Sequence, residues 1–147
     1  MRFAHETARE VEREYVAKGL VTIVFVDYAL HGKPAVDNAE AAHCAQDQGQ
    51  FWAYHDLLYQ STSEESARYS RKQLDGFAKK LGLDMTAFGQ CLDSHTYRDF
   101  VIAATDEGRR LGFKVVPTLI INQRVVEGFL PFKDLQPIIE EELEKAS

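Results

Sequence analysis

The sequence lacks the features that mark a membrane-spanning, exported or nucleic-acid-binding protein. No apolar run in its 147 residues approaches the roughly 20 residues that a helix needs to cross a bilayer. The charged first segment, residues 1–15, contains no apolar stretch of the kind that defines a signal peptide. The net charge of -6 makes nucleic acid and anionic membrane surfaces poor partners. As written, the chain is therefore expected to be soluble and cytoplasmic, with no membrane insertion and no nucleic-acid partner.

Sulfur and histidine are also scarce, which limits the chemistry that the chain can perform. The only cysteines are Cys44 and Cys91, too few for a disulfide-rich scaffold and too far apart for a Cys-x-x-Cys motif. No two of the five histidines have the helical spacing that would place them on one face as metal ligands. The sequence therefore predicts neither a metal site nor a cofactor.

The length and the apolar content suit one globular domain, because 45% of the residues are hydrophobic. The order of elements follows from the spacing of the apolar residues. It predicts a helix that ends at Gly19, a buried parallel strand at 20–28, four or five short helices within 35–112, a β-hairpin that turns at 122–124, and a C-terminal amphipathic helix.

Three short motifs predict where helices of the central block begin. Asp37 and Asp84 are acidic residues of the type that caps a helix N-terminus. Ser70 and Gln73 form the S-x-x-Q pattern of a capping box. We therefore expect one helix to start just after each of residues 37, 70 and 84.

Four stretches of the chain resemble, in the same order, sequence blocks of the DsbA-like thiol–disulfide oxidoreductases. They are HETAREVEREYVAKGLVTIVFVDYALHG (5–32), AAHCAQDQGQFWAYHDLLYQ (41–60), LGLDMTAFGQCLDS (81–94) and RRLGFKVVPTLIINQRVVEGFLPF (109–132). The resemblance implies an α/β thioredoxin-like fold, with one domain over residues 1–147 and a helical insertion at about 35–112. It also implies thiol–disulfide exchange on protein substrates or peptides, through mixed disulfides.

The clearest candidate site residues are Val116, Pro117 and Thr118, in the apolar run KVVPTLIINQRVV. The resemblance implies that they form a cis-proline loop, with a cis bond between Val116 and Pro117, beside the active centre. An X–Pro bond gives up its trans preference for about 0.5–1 kcal/mol, so a cis bond is easily accommodated in a tight turn. The loop would leave the Val116 backbone free to pair with an extended substrate peptide. The alternative is a trans proline that merely begins a strand.

The chain departs from the family at the redox centre. The family carries its Cys-x-x-Cys at the start of the first helix, where the helix dipole stabilises a thiolate. By the register of Arg2-Phe3, Met1 falls just after that motif. The catalytic cysteines and the first β-strand of the family are therefore expected to be missing. The chain is expected to be inactive as given, and whether it is an enzyme stays open.

Several explanations of the missing strand stay open. The chain is truncated at its N-terminus, which would fit a periplasmic or extracytoplasmic location because the family is mostly exported. Alternatively, a second copy supplies a strand, which makes a homodimer through the incomplete sheet. In the third explanation the flanking strands close up and leave a non-catalytic protein- or peptide-binding module. A glutathione-using relative with the same insertion, such as a kappa-class transferase, is a further alternative within the fold.

Cys44 and Cys91 fall in blocks where family members often carry cysteine. The resemblance implies that they lie close together and form a structural disulfide. A bridge across 47 residues would stabilise the fold by about 4 kcal/mol on the chain-entropy model. The alternative is a pair of buried free thiols that pack as small apolar side chains.

Overall fold

The computed structural model describes residues 2–60 and 68–146, and these residues form helices and one small sheet. The elements in chain order are α1 (Arg2–His5), α2 (Thr7–Val11), a π-helical turn (Glu12–Val16), α3 (Lys33–Gln46), α4 (Phe51–Gln60), α5 (Arg71–Lys80), α6 (Met85–Asp93), α7 (Arg98–Arg110), β1 (Thr118–Ile121), β2 (Arg124–Glu127) and α8 (Phe132–Ala146). They group into two compact units. The first unit combines the residues up to Phe25 with those from Leu111 onward, and the second spans Val26–Arg110. No helix in the described part of the chain is long and apolar enough to cross a membrane.

In the first unit, α2, the π-helical turn and α8 supply a small apolar core. Its buried side chains are those of Val11, Tyr15, Leu135 and Ile139. The Tyr15 hydroxyl donates to Glu140 Oε1 at 2.9 Å, so burying this ring leaves its polar end paired. Gly19 has a φ of 70°, a left-handed conformation that glycine adopts easily, and it follows the end of the helical segment as predicted.

Strands β1 and β2 form an antiparallel hairpin, which confirms the prediction for this segment. Ile121 pairs with Arg124, so the turn consists of Asn122 and Gln123 and is one residue shorter than predicted. Asn122 has a φ of 54°, a conformation that asparagine tolerates better than most residues. The side chain of Ile121 packs against the core of the first unit, whereas that of Ile120 is 57% exposed.

The prediction of a buried parallel strand at 20–28 is wrong. Residues 21–29 carry no regular secondary structure, and the only sheet within the described residues is the two-stranded hairpin. Val21 and Ile23 pack against the core of the first unit, while Val24 is 76% exposed. This alternation is typical of a strand with one buried face. A strand also needs a neighbour for its backbone N–H and C=O groups, and no other described segment forms a ladder with this one.

In its described residues, the second unit contains the five helices α3 to α7, which confirms the predicted block of short helices. Its core contains several fully buried side chains, including those of Ala41, Tyr54, Ala78 and Phe88. The Tyr54 hydroxyl donates to the Leu74 carbonyl at 2.9 Å, which satisfies the one polar group of this buried ring. Burial raises the pKa of Tyr54 far above its ordinary value, so the phenol stays neutral.

Two of the three predicted helix starts are confirmed. The Gln73 amide donates to Ser70 Oγ at 3.4 Å, and the Ser70 amide donates to Gln73 Oε1 at 2.9 Å, which completes the capping box of α5. Asp84 caps α6, because its Oδ1 accepts from the amides of Thr86 and Ala87 at 2.8 and 3.1 Å.

The prediction that Asp37 caps a helix is wrong, because α3 already begins at Lys33. Pro34 lies in the first turn of α3, where its missing N–H costs no intrahelical hydrogen bond. Asp37 lies one turn further on. It accepts from Lys33 Nζ at 2.6 Å and from Arg98 Nη2 at 2.7 Å. Asp37 therefore pairs with cations instead of capping the helix.

Candidate functional site

The predicted site residues Val116, Pro117 and Thr118 form a loop that leads into β1. The peptide bond between Val116 and Pro117 is cis. Two hydrogen bonds fix the loop on either side of the proline. The Gly128 amide donates to the Pro117 carbonyl at 2.8 Å, and Thr118 Oγ1 donates to the Val115 carbonyl at 2.8 Å.

Val116 is the most accessible part of this loop, with 48% of its surface exposed. Its backbone N–H and C=O groups have no hydrogen-bond partner among the described residues. Extended peptides pair in general with exposed backbone groups next to a strand. The internal hydrogen bonds of the loop do not use the N–H or C=O of Val116.

The hairpin beside this loop exposes more apolar surface than its small size requires. Within the described residues, β1 is paired with β2 alone. Ile120 and Val125 are cross-strand partners, and they are 57% and 50% exposed. An open strand edge with exposed β-branched side chains is a surface on which another strand can pair.

The structure joins Cys44 of α3 to Cys91 of α6 by a disulfide, with an S–S distance of 2.00 Å and a Cα–Cα distance of 5.8 Å. Cys44 is 1% exposed, and Cys91 is half-buried. Both cysteines of the chain are used in this bridge, so the chain presents no free thiol. The bridge lies within the second unit, whereas the cis-proline loop belongs to the first.

A buried histidine–aspartate pair is a feature that the sequence did not reveal. His43 Nε2 lies 2.6 Å from Asp27 Oδ2, and the two residues are 8% and 5% exposed. The hydrogen bond and the charge of Asp27 raise the pKa of His43 above its ordinary 6.5 and outweigh the opposing effect of burial. The only sequence signal was Asp27 itself, an acidic residue at the end of an apolar run.

A cavity of about 260 Å³ lies beside the start of α3 and is lined partly by Lys33, Arg98 and Arg109. Each of these cations is already paired with a carboxylate: Lys33 and Arg98 with Asp37, and Arg109 with Asp106. The cavity is therefore less attractive to an anion than its three cations suggest.

Among the described residues no group of three or more histidine, cysteine, aspartate or glutamate side chains could hold a metal ion. His95 lies four residues after Cys91, a spacing that suits two ligands on one helical face. The sulfur of Cys91 is bonded to Cys44 instead. These residues therefore do not form a metal site in the disulfide-bonded protein.

Comparison with known proteins identifies relatives along nearly the whole chain. The disulfide bond formation protein D of Bacillus subtilis is 23% identical over 138 residues, which cover 91% of this chain and 62% of that protein. The probable disulfide bond formation protein D of Bacillus anthracis is 26% identical over 140 residues, or 92% of this chain and 64% of that protein. The chain thus spans less than two thirds of the length of these relatives.

Solved structures show the same fold. Oxidised BdbD from Bacillus subtilis superposes with a TM-score of 0.84 at 22% identity, over 97% of this chain and 80% of that one. A thioredoxin-like oxidoreductase from Silicibacter pomeroyi gives a TM-score of 0.71 at 21% identity, over 96% of this chain and 81% of that one. The family model described as "Thioredoxin" matches residues 1–141. The chain therefore belongs to the thioredoxin family.

Proposed function

We propose that the chain works in thiol–disulfide exchange on protein substrates, and that these 147 residues supply the substrate-binding loop but not the reacting cysteines. The names of the curated relatives support the reaction class. The single observation that carries the binding role is Val116, which is exposed and whose backbone groups have no hydrogen-bond partner in the described part of the chain.

The proposed binding mode is the addition of a strand. An extended segment of the substrate hydrogen-bonds to the N–H and C=O groups of Val116, and Pro117 contributes no competing donor because its nitrogen carries no hydrogen. These contacts are made to the backbone, so they suit substrates of many different sequences.

Exchange itself needs a thiolate that attacks a disulfide and forms a mixed disulfide. Cys44 and Cys91 do not supply it, because they are bonded to each other and Cys44 is buried. The 147-residue chain is therefore expected to bind substrates without turning them over.

Peptide binding tests the first half of this proposal. A labelled, extended peptide without cysteine is titrated against the wild type, Val116→Pro and Val116→Ala. Val116→Pro removes one backbone donor and is expected to weaken binding about tenfold, whereas the matched Val116→Ala keeps the donor. Equal weakening by both variants, with both folded by circular dichroism, would contradict binding through the Val116 N–H.

Turnover tests the second half. The reduction of insulin by dithiothreitol is followed with the wild type and with a Cys44→Ser/Cys91→Ser double variant. Both are expected to leave the rate at the background of the reductant alone. Acceleration by the wild type that is lost in the double variant would show that the bridge is catalytic and would overturn the proposal.

A non-catalytic peptide-binding module is the second candidate function, and the absence of a free thiol favours it. The two functions predict different rates of insulin reduction when a separate peptide with a Cys-x-x-Cys motif is added to the chain. A synthetic Cys-x-x-Cys peptide added in trans is expected to reduce insulin faster with this chain than without it if the loop serves exchange. A module that only binds leaves the rate unchanged or lowers it.

A second copy of the chain is the proposed partner at the open edge of β1. The exposed apolar side chains of Val24, Ile120 and Val125 support this pairing. A charge at the edge strand should block it, so Ile120→Lys is expected to shift a dimer to monomer in sedimentation velocity. Ile102→Lys, at an exposed apolar position of α7 outside the hairpin, serves as the control and is expected to leave the dimer intact. A wild type that is monomeric at every concentration would exclude the dimer.

A further inference from the structure

His43 is held in a position that suits the charged imidazolium. Its Nε2 lies 2.6 Å from Asp27 Oδ2, and its Nδ1 lies 3.2 Å from Gln46 Oε1. A carboxylate oxygen and an amide oxygen only accept hydrogen bonds. With the Gln46 amide in this orientation both ring nitrogens donate, which corresponds to an imidazole that carries both protons and a positive charge.

Three aromatic rings surround this cation. The ring of Tyr97 stacks on the imidazole at a centroid distance of 5.1 Å and an angle of 29°. Phe100 meets it edge-on at 5.2 Å, and Phe51 lies at 5.5 Å. A cation within about 6 Å of an aromatic face is stabilised by the quadrupole of the ring. The stacked ring of Tyr97 is therefore placed to stabilise the charge of His43.

The disulfide is linked to Tyr97 by contacts in the turn between α6 and α7. The carbonyl of Cys91 accepts from Ser94 Oγ at 3.1 Å and from the Thr96 amide at 3.2 Å. The Tyr97 hydroxyl donates to Asp47, whose other oxygen lies 4.0 Å from Cys91 Sγ. Cys91 is bonded to Cys44, the residue that follows His43. A closed path of contacts thus joins the bridge to the imidazolium.

The other charged and titratable groups around His43 do not supply an alternative path. Asp27 comes from the segment before α3, and Asp47 follows the end of α3. Arg98 of α7 is engaged with the buried Glu40 through bonds of 2.9 and 2.6 Å. On α4, the ring of His55 packs against that of Phe51. The pKa of Tyr59, also on α4, is raised mainly by burial and further by the negative charge of Asp27. Of these groups, Asp47 lies next to both the bridge and the ring that stacks on His43.

We infer that the Cys44–Cys91 disulfide is a redox-linked proton site, in which opening the bridge weakens proton binding at His43. A dithiol reductant transfers two electrons and two protons to the bridge, which leaves two thiols in the protein and a cyclic disulfide in the reductant. Cys91 is then no longer fastened to α3, and the turn that carries Tyr97 is released from the imidazolium. This site acts independently of the function proposed for the cis-proline loop.

The coupling must be reciprocal, because two equilibria that share one protein are thermodynamically linked. If the closed bridge favours the protonated histidine, then protonation of His43 favours the closed bridge. The disulfide is therefore hardest to reduce at pH values below the pKa of His43, and it becomes easier to reduce as the pH rises through that pKa.

The equilibrium with dithiothreitol measures this linkage directly. Reduction of a disulfide by a dithiol consumes no net protons while all thiols stay protonated. If the bridge were not coupled to His43, the equilibrium constant for its reduction would therefore not change with pH between about 5 and 7.5. For this protein, the equilibrium constant for reduction is expected to increase about three- to tenfold as the pH rises through the pKa of His43. This is the change expected if the imidazolium loses its contact with one stacked ring.

Two variants separate His43 from its neighbours in this experiment. His43→Gln is expected to make the constant independent of pH, whereas His95→Gln should retain the wild-type dependence. His95 is the matched control because it lies in the same turn as Tyr97 but faces Glu40, at 3.4 Å. A wild-type constant that does not change with pH, or a dependence that survives His43→Gln, would overturn the inference.

A second measurement avoids opening the bridge, in case the reduced protein unfolds. The His43 Cε1–H resonance is titrated in the oxidised wild type and in oxidised Tyr97→Leu, with the other four histidines as internal references. The pKa of His43 is expected to fall by about half to one unit when the ring is removed. An unchanged pKa in the folded variant would show that Tyr97 does not carry the coupling and would overturn the inference.

Discussion

At the scale of single residues, the molecule combines a contiguous loop, Val116 to Thr118, with a His43–Asp27 pair that only the fold brings together. Val116, Pro117 and Thr118 form a contiguous motif, so their resemblance to a known loop was enough to single them out. His43 and Asp27 are 16 residues apart. Neither has a neighbour in the sequence that signals the other. A pair of this kind becomes visible only when the packing of α3 against the preceding segment is known.

The His43–Asp27 pair makes a testable contribution to stability. Because the folded protein raises the pKa of His43 above 6.5, the stabilisation is fully present below that value and is lost as the pH rises through the folded pKa. Asp27→Asn removes the charge that holds the proton. We expect this variant to lose about 3 kcal/mol of unfolding free energy at mildly acidic pH, measured by urea denaturation, and to show a smaller decline with pH than the wild type.

Asp93→Asn is the control for that experiment. Asp93 pairs with Arg71 on the surface, and its side chain is 70% exposed. A solvent-exposed ion pair contributes about 1 kcal/mol or less. If Asp27→Asn and Asp93→Asn had the same small effect at every pH, the buried pair would not have the role assigned to it.

At the scale of helices and strands, local signals were reliable where the structure depends on local contacts. Two helix caps show this: the capping box of Ser70 and Gln73, and the cap formed by Asp84. Each pairs backbone N–H groups with a side chain no more than three residues away, so the local sequence is enough to predict it. The segment at 20–28 is the opposite case. Its composition suits a strand, but a strand requires a hydrogen-bonding neighbour, and the sequence of the segment alone does not reveal whether one is present. Asp37 was misjudged because Pro34 allows α3 to start a turn earlier.

The N-terminal cap of α5 is expected to contribute to the stability of the second unit. Ser70→Ala removes the side-chain acceptor for the Gln73 amide, and the free energy of unfolding of the second unit is expected to fall by about 1 kcal/mol in chemical denaturation. Ser70→Thr keeps the hydroxyl and should cost only a few tenths of that value. An alanine variant as stable as the threonine variant would mean that the cap contributes nothing.

At the scale of the whole molecule, the chain consists of two units with different means of stabilisation. Among the described residues, the first unit has a small core with four buried apolar side chains and an open hairpin. The second has eleven described buried residues in its core and is cross-linked by the disulfide. A redox-dependent difference in stability should therefore be confined to the second unit.

Reduction of the bridge tests this difference. Closing a loop across 47 residues removes entropy from the unfolded chain, so reduction is expected to lower the stability of the second unit by about 4 kcal/mol. Hydrogen exchange followed by mass spectrometry reports the two units separately. Faster exchange in α3 to α6 with little change in α8 is the expected outcome. Equal acceleration throughout the chain would show that the two units unfold as one.

The central claim is that the backbone of Val116 binds an extended peptide although the chain has no reacting cysteine pair. Its most direct test is an NMR titration of the isotope-labelled 147-residue chain with an extended, cysteine-free peptide, observed at the Val116 amide. The account predicts a saturable change in the chemical shift of that amide together with protection from hydrogen exchange. A peptide that binds elsewhere and leaves the Val116 amide unchanged at saturation would contradict it.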